Sequence, residues 1–205
     1  MNIAIPVFDG LTALDAVGPA EVLSRLPGAS VRLLAAEPGP VRAETLTLIP
    51  ELTFDQLVDP EVVVVPGGHG TRKLVDDERI LGWLKRAHES SEWTTSVCTG
   101  SLLLGAAGIL NGLEATTHWL ALDLLARYGA HPVRERVVRQ GKVITAAGVS
   151  AGIDMALTLS AQIAGERTAQ AIQLSIEYDP QPPFECGSPA KAPEELVERL
   201  RAGAS

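Results

Sequence analysis

The stretch Thr94-Thr95-Ser96-Val97-Cys98-Thr99-Gly100-Ser101-Leu102-Leu103-Leu104-Gly105-Ala106-Ala107 decides how the chain is read. Its first four residues are β-branched or small and suit a buried strand. Cys98 ends that strand, Thr99 and Gly100 turn the backbone, and the small and apolar residues beyond suit a buried helix. A cysteine at such a junction sits on a sharp turn at the positive end of the new helix. Free amide N–H groups and the helix dipole there favour thiolate over thiol. The position predicts a thiol pKa below its reference of about 8.5, and so a nucleophile. Mechanically it is like the serine elbow of hydrolases. A cysteine packed in the core accounts for the same residues, so the rest of the chain has to decide.

Working outward, strand and helix alternate. Residues 2–8 read as a first strand, closed by Asp9-Gly10, and Thr12 caps a helix over 13–26 with Asp15 in its first turn. Strands are expected at 31–36 and 46–50, then a short helix at 54–58 capped by Thr53. Val62-Val63-Val64-Val65 is the clearest buried strand, and it breaks on Pro66-Gly67-Gly68-His69-Gly70. A helix over 77–90 carries Ile80, Leu81, Leu84 and Ala87 on one face. The helix after Cys98 is expected to run to Asn111-Gly112, followed by a strand over 114–117 ending at His118 and a helix over 119–128. Residues 133–139 and 142–146 flank Gln140-Gly141 as a hairpin. Helices over 151–164, 166–176 and 194–201 complete the chain around a loop forced by Pro180, Pro182 and Pro183. With no repeat and no linker, this pattern predicts one α/β domain over residues 1–205, a sandwich on a mainly parallel sheet.

Composition narrows the partners. Aromatics make up only 4% of the 205 residues, so the core must be Val, Leu, Ile and Ala, as buried parallel strands prefer. A net charge of -8 argues against nucleic acid or an anionic membrane surface. Two distant cysteines signal neither a disulfide framework nor a thiolate zinc site. The N-terminal stretch lacks a basic region and meets Asp9 too early for a signal peptide, and no apolar run reaches the roughly 18 residues of a membrane span. The expectation is a cytoplasmic protein.

In open α/β sheets, ligands bind beyond the carboxyl ends of the strands. The residues expected there are Asp9 to Asp15, Gly67-Gly68-His69, Cys98-Thr99, His118 and Gly148, which should converge on one edge. Each has a plain structural reading as well. Asp15 suits a dipole-favouring charge in a first turn, Gly67-Gly68 a tight turn, and His118 a hydrogen-bonded histidine. No Lys or Ser/Thr follows Gly67-Gly68 at P-loop spacing, and His69 and His88 show no metal-ligand spacing. His131 is expected in a solvated loop, and Cys186, in the proline-rich loop, as structural or incidental.

Pro66-Gly67-Gly68, Ser96-Val97-Cys98-Thr99-Gly100 and Thr116-Thr117-His118-Trp119 resemble the ThiJ/PfpI superfamily, whose fold is flavodoxin-like and of the class I glutamine amidotransferase type. The similarity covers nearly the whole chain. Within the superfamily it extends to the isonitrile (isocyanide) hydratases, through Leu14-Asp15-Ala16-Val17-Gly18-Pro19, Gly152-Ile153-Asp154 and Glu177-Tyr178-Asp179-Pro180. The resemblance implies a three-layer sandwich with Cys98 as nucleophile, Asp15 as its acid/base partner and Thr99 as a supporting polar group. It implies hydration of an organic isocyanide to an N-substituted formamide, with no metal or organic cofactor, in a homodimer. Backbone amides of Gly68 and Thr99 would then bind developing charge, with Gly67, His118 and Gly148 around the substrate and Tyr178 lining the pocket of the partner subunit. Superfamily chemistry on α-oxoaldehydes, of the glyoxalase or deglycase kind, and a non-catalytic cysteine sensor are the alternatives. Thr99 stands where protease-like members carry histidine, which disfavours a Cys-His dyad. Ala146-Ala147-Gly148 replaces an expected glycine-richer turn.

Overall fold

The computed structural model describes residues 1–203. In chain order the elements are β1 (Asn2–Pro6), α1 (Ala13–Leu23), β2 (Ser30–Ala35), β3 (Val41–Ala43), β4 (Leu46–Leu48), β5 (Leu52–Thr53) and β6 (Val62–Val65). There follow α2 (Thr71–Leu74), α3 (Glu78–Ser90), β7 (Trp93–Val97), α4 (Gly100–Ala106), β8 (Glu114–Ala115), α5 (Leu122–Arg127) and β9 (His131–Pro132). The chain ends with β10 (Val137–Gln140), β11 (Val143–Ala146), α6 (Ala151–Ala164), α7 (Glu166–Ser175) and α8 (Glu194–Gly203).

Seven strands form the central sheet in the order β10-β11-β7-β6-β1-β2-β5. Every neighbouring pair is parallel except the β10–β11 hairpin. One group of helices, α1, α6 and α7, packs together against the sheet, and a second group forms around α4. The result is the expected flavodoxin-like sandwich. All four valines of β6 are fully buried, as a strand covered on both faces requires. On α3, the Asp77 carboxylate accepts the Arg79 N–H at 2.9 Å, and the predicted stripe Ile80, Leu81, Leu84 and Ala87 is buried together with Trp83. No helix among the described residues is long and apolar enough to cross a membrane.

Where elements differ from expectation, a specific bond or glycine is responsible. The helix after Cys98 stops at Ala106 although the apolar run continues, because Gly108 leaves the helical region at φ 78°. The strand at 114 stops at Ala115, because the Thr116 N–H turns aside to Thr145 Oγ1 at 2.9 Å. The helix expected over 119–128 begins as a 3-10 turn, Trp119–Ala121, with His118 Nδ1 accepting the Leu120 N–H at 3.3 Å. The expected helix at 54–58 is only a 3-10 turn, Phe54–Gln56, whose phenyl ring stacks on Trp83 at 5.1 Å. His131 lies not in a free loop but in β9, paired with β8.

Candidate active site

The carboxyl ends of β6, β7 and β11 deliver the polar residues of the chain to one edge of the sheet. Cys98 follows β7 directly and has φ 55°, a left-handed conformation that costs a non-glycine residue about 1–2 kcal/mol. Four hydrogen bonds hold it there. Its N–H donates to the carbonyls of Ala146 (3.1 Å) and Ala147 (2.8 Å). Its carbonyl accepts the hydroxyls of Thr117 (2.9 Å) and Ser101 (3.2 Å). The strain is thus fixed by β11 on one side and by the β8 loop and α4 on the other.

Asp15, far from being a surface charge, is completely buried. Its Oδ2 accepts the Gly67 N–H at 2.9 Å. Its carboxyl faces the Cys98 thiol, and Oδ1 is buried without a well-formed hydrogen bond among the described residues. Gly67 has to be glycine: a Cβ there would stand 2.4 Å from the Thr99 nitrogen and 3.0 Å from Asp15 Oδ2. Gly68 has φ 128°, and its N–H donates to Thr99 Oγ1 at 2.9 Å, while the Thr99 hydroxyl donates to the Gly68 carbonyl at 3.0 Å. Neither glycine amide is therefore free to meet a developing charge. They hold Asp15 and Thr99 in place.

Burial also reverses the expected acidity of the thiol. Cys98 is 5% exposed, and that desolvation, with the Asp15 charge beside it, pushes its pKa up to about 12. The Thr99 N–H and hydroxyl pull it down by less. Burial likewise raises Asp15 to about 7, against the lowering effect of the Gly67 N–H. Near neutral pH the thiol stays protonated while Asp15 titrates, so Asp15 is poised to accept or return a proton.

A cavity of about 480 Å³ lies near this pair, lined not by Cys98 or Asp15 themselves but by Leu14, Thr117, His118, Ala147 and Gly148 among others. Thr117 and Ala147 are also hydrogen-bond partners of Cys98, so the cavity borders the turn itself. His118 is half-buried, and desolvation lowers its pKa, favouring the neutral imidazole. A Cβ on Gly148 would approach its ring to 3.3 Å. Tyr178 does not line the cavity of its own chain; it lies beside Asp154 and Arg136, and Arg136 is among the lining residues. The sequence assigns no role to the hydroxyls of Thr117 and Ser101, although Thr117 lies within the Thr116-Thr117-His118-Trp119 motif. Their signal, a hydroxyl three residues beyond the cysteine and another in Thr116-Thr117, means nothing until the loop is folded.

The DJ-1/PfpI family model matches residues 1–162. The chain belongs to the DJ-1/PfpI family. It is 45% identical over 206 residues to isonitrile hydratase of Pseudomonas putida, covering 100% of this chain and 90% of that protein. A helix-turn-helix transcriptional regulator of Pseudomonas aeruginosa is 29% identical over 179 residues, which is 85% of this chain and 52% of the regulator. Among solved structures, a ThiJ/PfpI family protein from Pseudomonas syringae superposes with a TM-score of 0.95 at 39% identity, covering 98% of this chain and 84% of that one. Drosophila melanogaster DJ-1beta shares the fold at a TM-score of 0.78 and 20% identity, over 86% of this chain and 97% of its own.

Proposed function

We propose that the protein hydrates organic isocyanides to N-substituted formamides. The observation that carries this reading is the full-length similarity to an isonitrile hydratase, and the Cys98–Asp15 pair supplies a chemistry for it. Asp15 as carboxylate takes the thiol proton while Cys98 Sγ bonds to the terminal isocyanide carbon. Asp15 then returns that proton to the same carbon, giving a thioimidate, R–N=CH–S–Cys98. Water adds next: its oxygen bonds to the carbon, and Asp15 relays one of its protons to nitrogen. The C–S bond of R–NH–CH(OH)–S–Cys98 then breaks. The hydroxyl proton passes through Asp15 to sulfur, and the formamide R–NH–CHO leaves with the thiol restored. Beyond the isocyanide and one water, no group from outside the chain is required for the balance. Thr99, held by Gly68, orients the reacting water or substrate, and the protein works as a cytoplasmic homodimer.

Intact mass spectrometry after mixing with an organic isocyanide tests the scheme. The wild type is expected to show a transient adduct that decays to formamide, the Cys98→Ala variant no adduct, and the Asp15→Asn variant an adduct that both forms and decays far more slowly. Absence of both adduct and product across several isocyanides would remove the proposal. The regulator relative favours a second reading, in which Cys98 belongs to a ligand-sensing domain without turnover. Formamide production separates the two.

A further inference from the structure

One wall of the cavity comes from far along the chain. Gly187, Ser188, Pro189 and Ala190 line it, well beyond residue 162, where the family match ends. This segment is held rather than loose. The N–H groups of Lys191 and Ala192 both donate to the Ser188 carbonyl, at 3.0 and 2.9 Å. Helix α8 follows at once, with Val197 buried, and its Arg201 guanidinium lies 5.8 Å from the ring centre of Trp119. Trp119 lines the same cavity, so α8 ties the wall back to the space that the wall closes.

The side chains on this wall are small. Gly187 has none and Ala190 a methyl, and a Cβ added at Gly187 would meet nothing within 4 Å. An isocyano group is two heavy atoms, so most of the 480 Å³ is available to whatever the nitrogen carries. We propose that residues 187–190, anchored by α8, set the size limit on the N-substituent of the substrate. The site chemistry then belongs to the family-wide part of the chain and the selectivity to its C-terminal part. This inference rests on the isocyanide reading for the identity of the substrate, but not for the geometry of access to Cys98.

The experiment uses the full chain with Cys186→Ser, which removes the exposed second thiol. Cys98 is alkylated with iodoacetamide and with the bulkier N-phenyl iodoacetamide, and the ratio of the two rates is compared with that in Gly187→Trp and Ala190→Trp. The kcat/KM ratio for phenyl over methyl isocyanide is measured alongside. Both ratios are expected to fall about tenfold or more, the scale on which a filled apolar pocket discriminates. Two substitutions on different residues guard against a single misfolded variant. Unchanged ratios in both variants overturn the wall, whether or not isocyanides turn over. A fall in the labelling ratio with no isocyanide turnover upholds the wall and removes the hydratase reading alone.

Discussion

At the residue scale the site is a bargain between burial and charge. Asp15 is a carboxyl with its pKa raised from 3.8 to about 7 by desolvation. The unfolded chain releases that proton near 3.8, whereas the folded protein keeps it until about 7. Over that interval the folded state binds more protons, so the contribution of Asp15 to stability falls as pH rises and is fully lost above pH 7. The Asp15→Asn variant should therefore be more stable than wild type by roughly 2–4 kcal/mol at pH 8 and no different below pH 4, as read by urea denaturation. Its kcat/KM should fall at least a hundredfold, while the wild-type value should rise with pH through about 7 as the carboxylate appears. A variant no more stable at pH 8 would show that the carboxylate is already solvated. Cys98 and Asp15 were legible in the sequence through their motifs, and an acid set beside a thiolate and buried is expected to have a raised pKa, as Asp15 does, but the rise of the thiol was not legible. A helix dipole can be inferred from a strand-turn-helix pattern, whereas the desolvation that outweighs it appears only when α1 is laid over the end of β7.

At the scale of elements, the bonds that hold Cys98 join parts of the chain that are distant in sequence. Thr117 donates its hydroxyl to the Cys98 carbonyl, and the loop carrying it is pinned by the Thr116 N–H on Thr145 of β11. Removing that hydroxyl leaves the carbonyl with Ser101 alone. The Thr117→Val variant should lose about 1–2 kcal/mol of stability. It should also slow alkylation of Cys98 several-fold, because the turn loses one of its two supports on that side, and Thr117→Ser should restore both. A stability loss with unaltered alkylation would make Thr117 a packing residue only. This scale also explains which elements could be read in advance. The long strands and helices follow hydrophobic period and were placed closely, from the valines of β6 to the face of α3. Of the short elements around 114–132, β8 is ended by the Thr116 bond to Thr145 and the 3-10 turn is opened by His118, and no hydrophobic period announces either.

For the whole molecule, the proposed homodimer needs an exposed apolar surface. Leu14 and Val17 on α1 are both 43% exposed, one turn apart on the same helix. Placing a charge there should break the pairing: sedimentation is expected to give twice 21.6 kDa for the wild type and 21.6 kDa for Val17→Glu. An unchanged mass for the variant would move the interface elsewhere. Composition read the molecule correctly at this scale, since a core poor in aromatics was expected and β6, α4 and α6 are built of aliphatic side chains. The contribution of residues 187–190 to the cavity was out of reach, because a proline-rich tail declares a loop and not the place where that loop comes to rest.

The left-handed backbone at Cys98 has a practical corollary for anyone improving the protein in the laboratory. Glycine adopts that conformation freely, so a library sorted only for heat resistance should enrich glycine at this position and accumulate robust, inert proteins. Selection rounds need to alternate melting temperature with thiol reactivity, or the sorting itself will erase the feature that distinguishes the fold's edge from an ordinary turn.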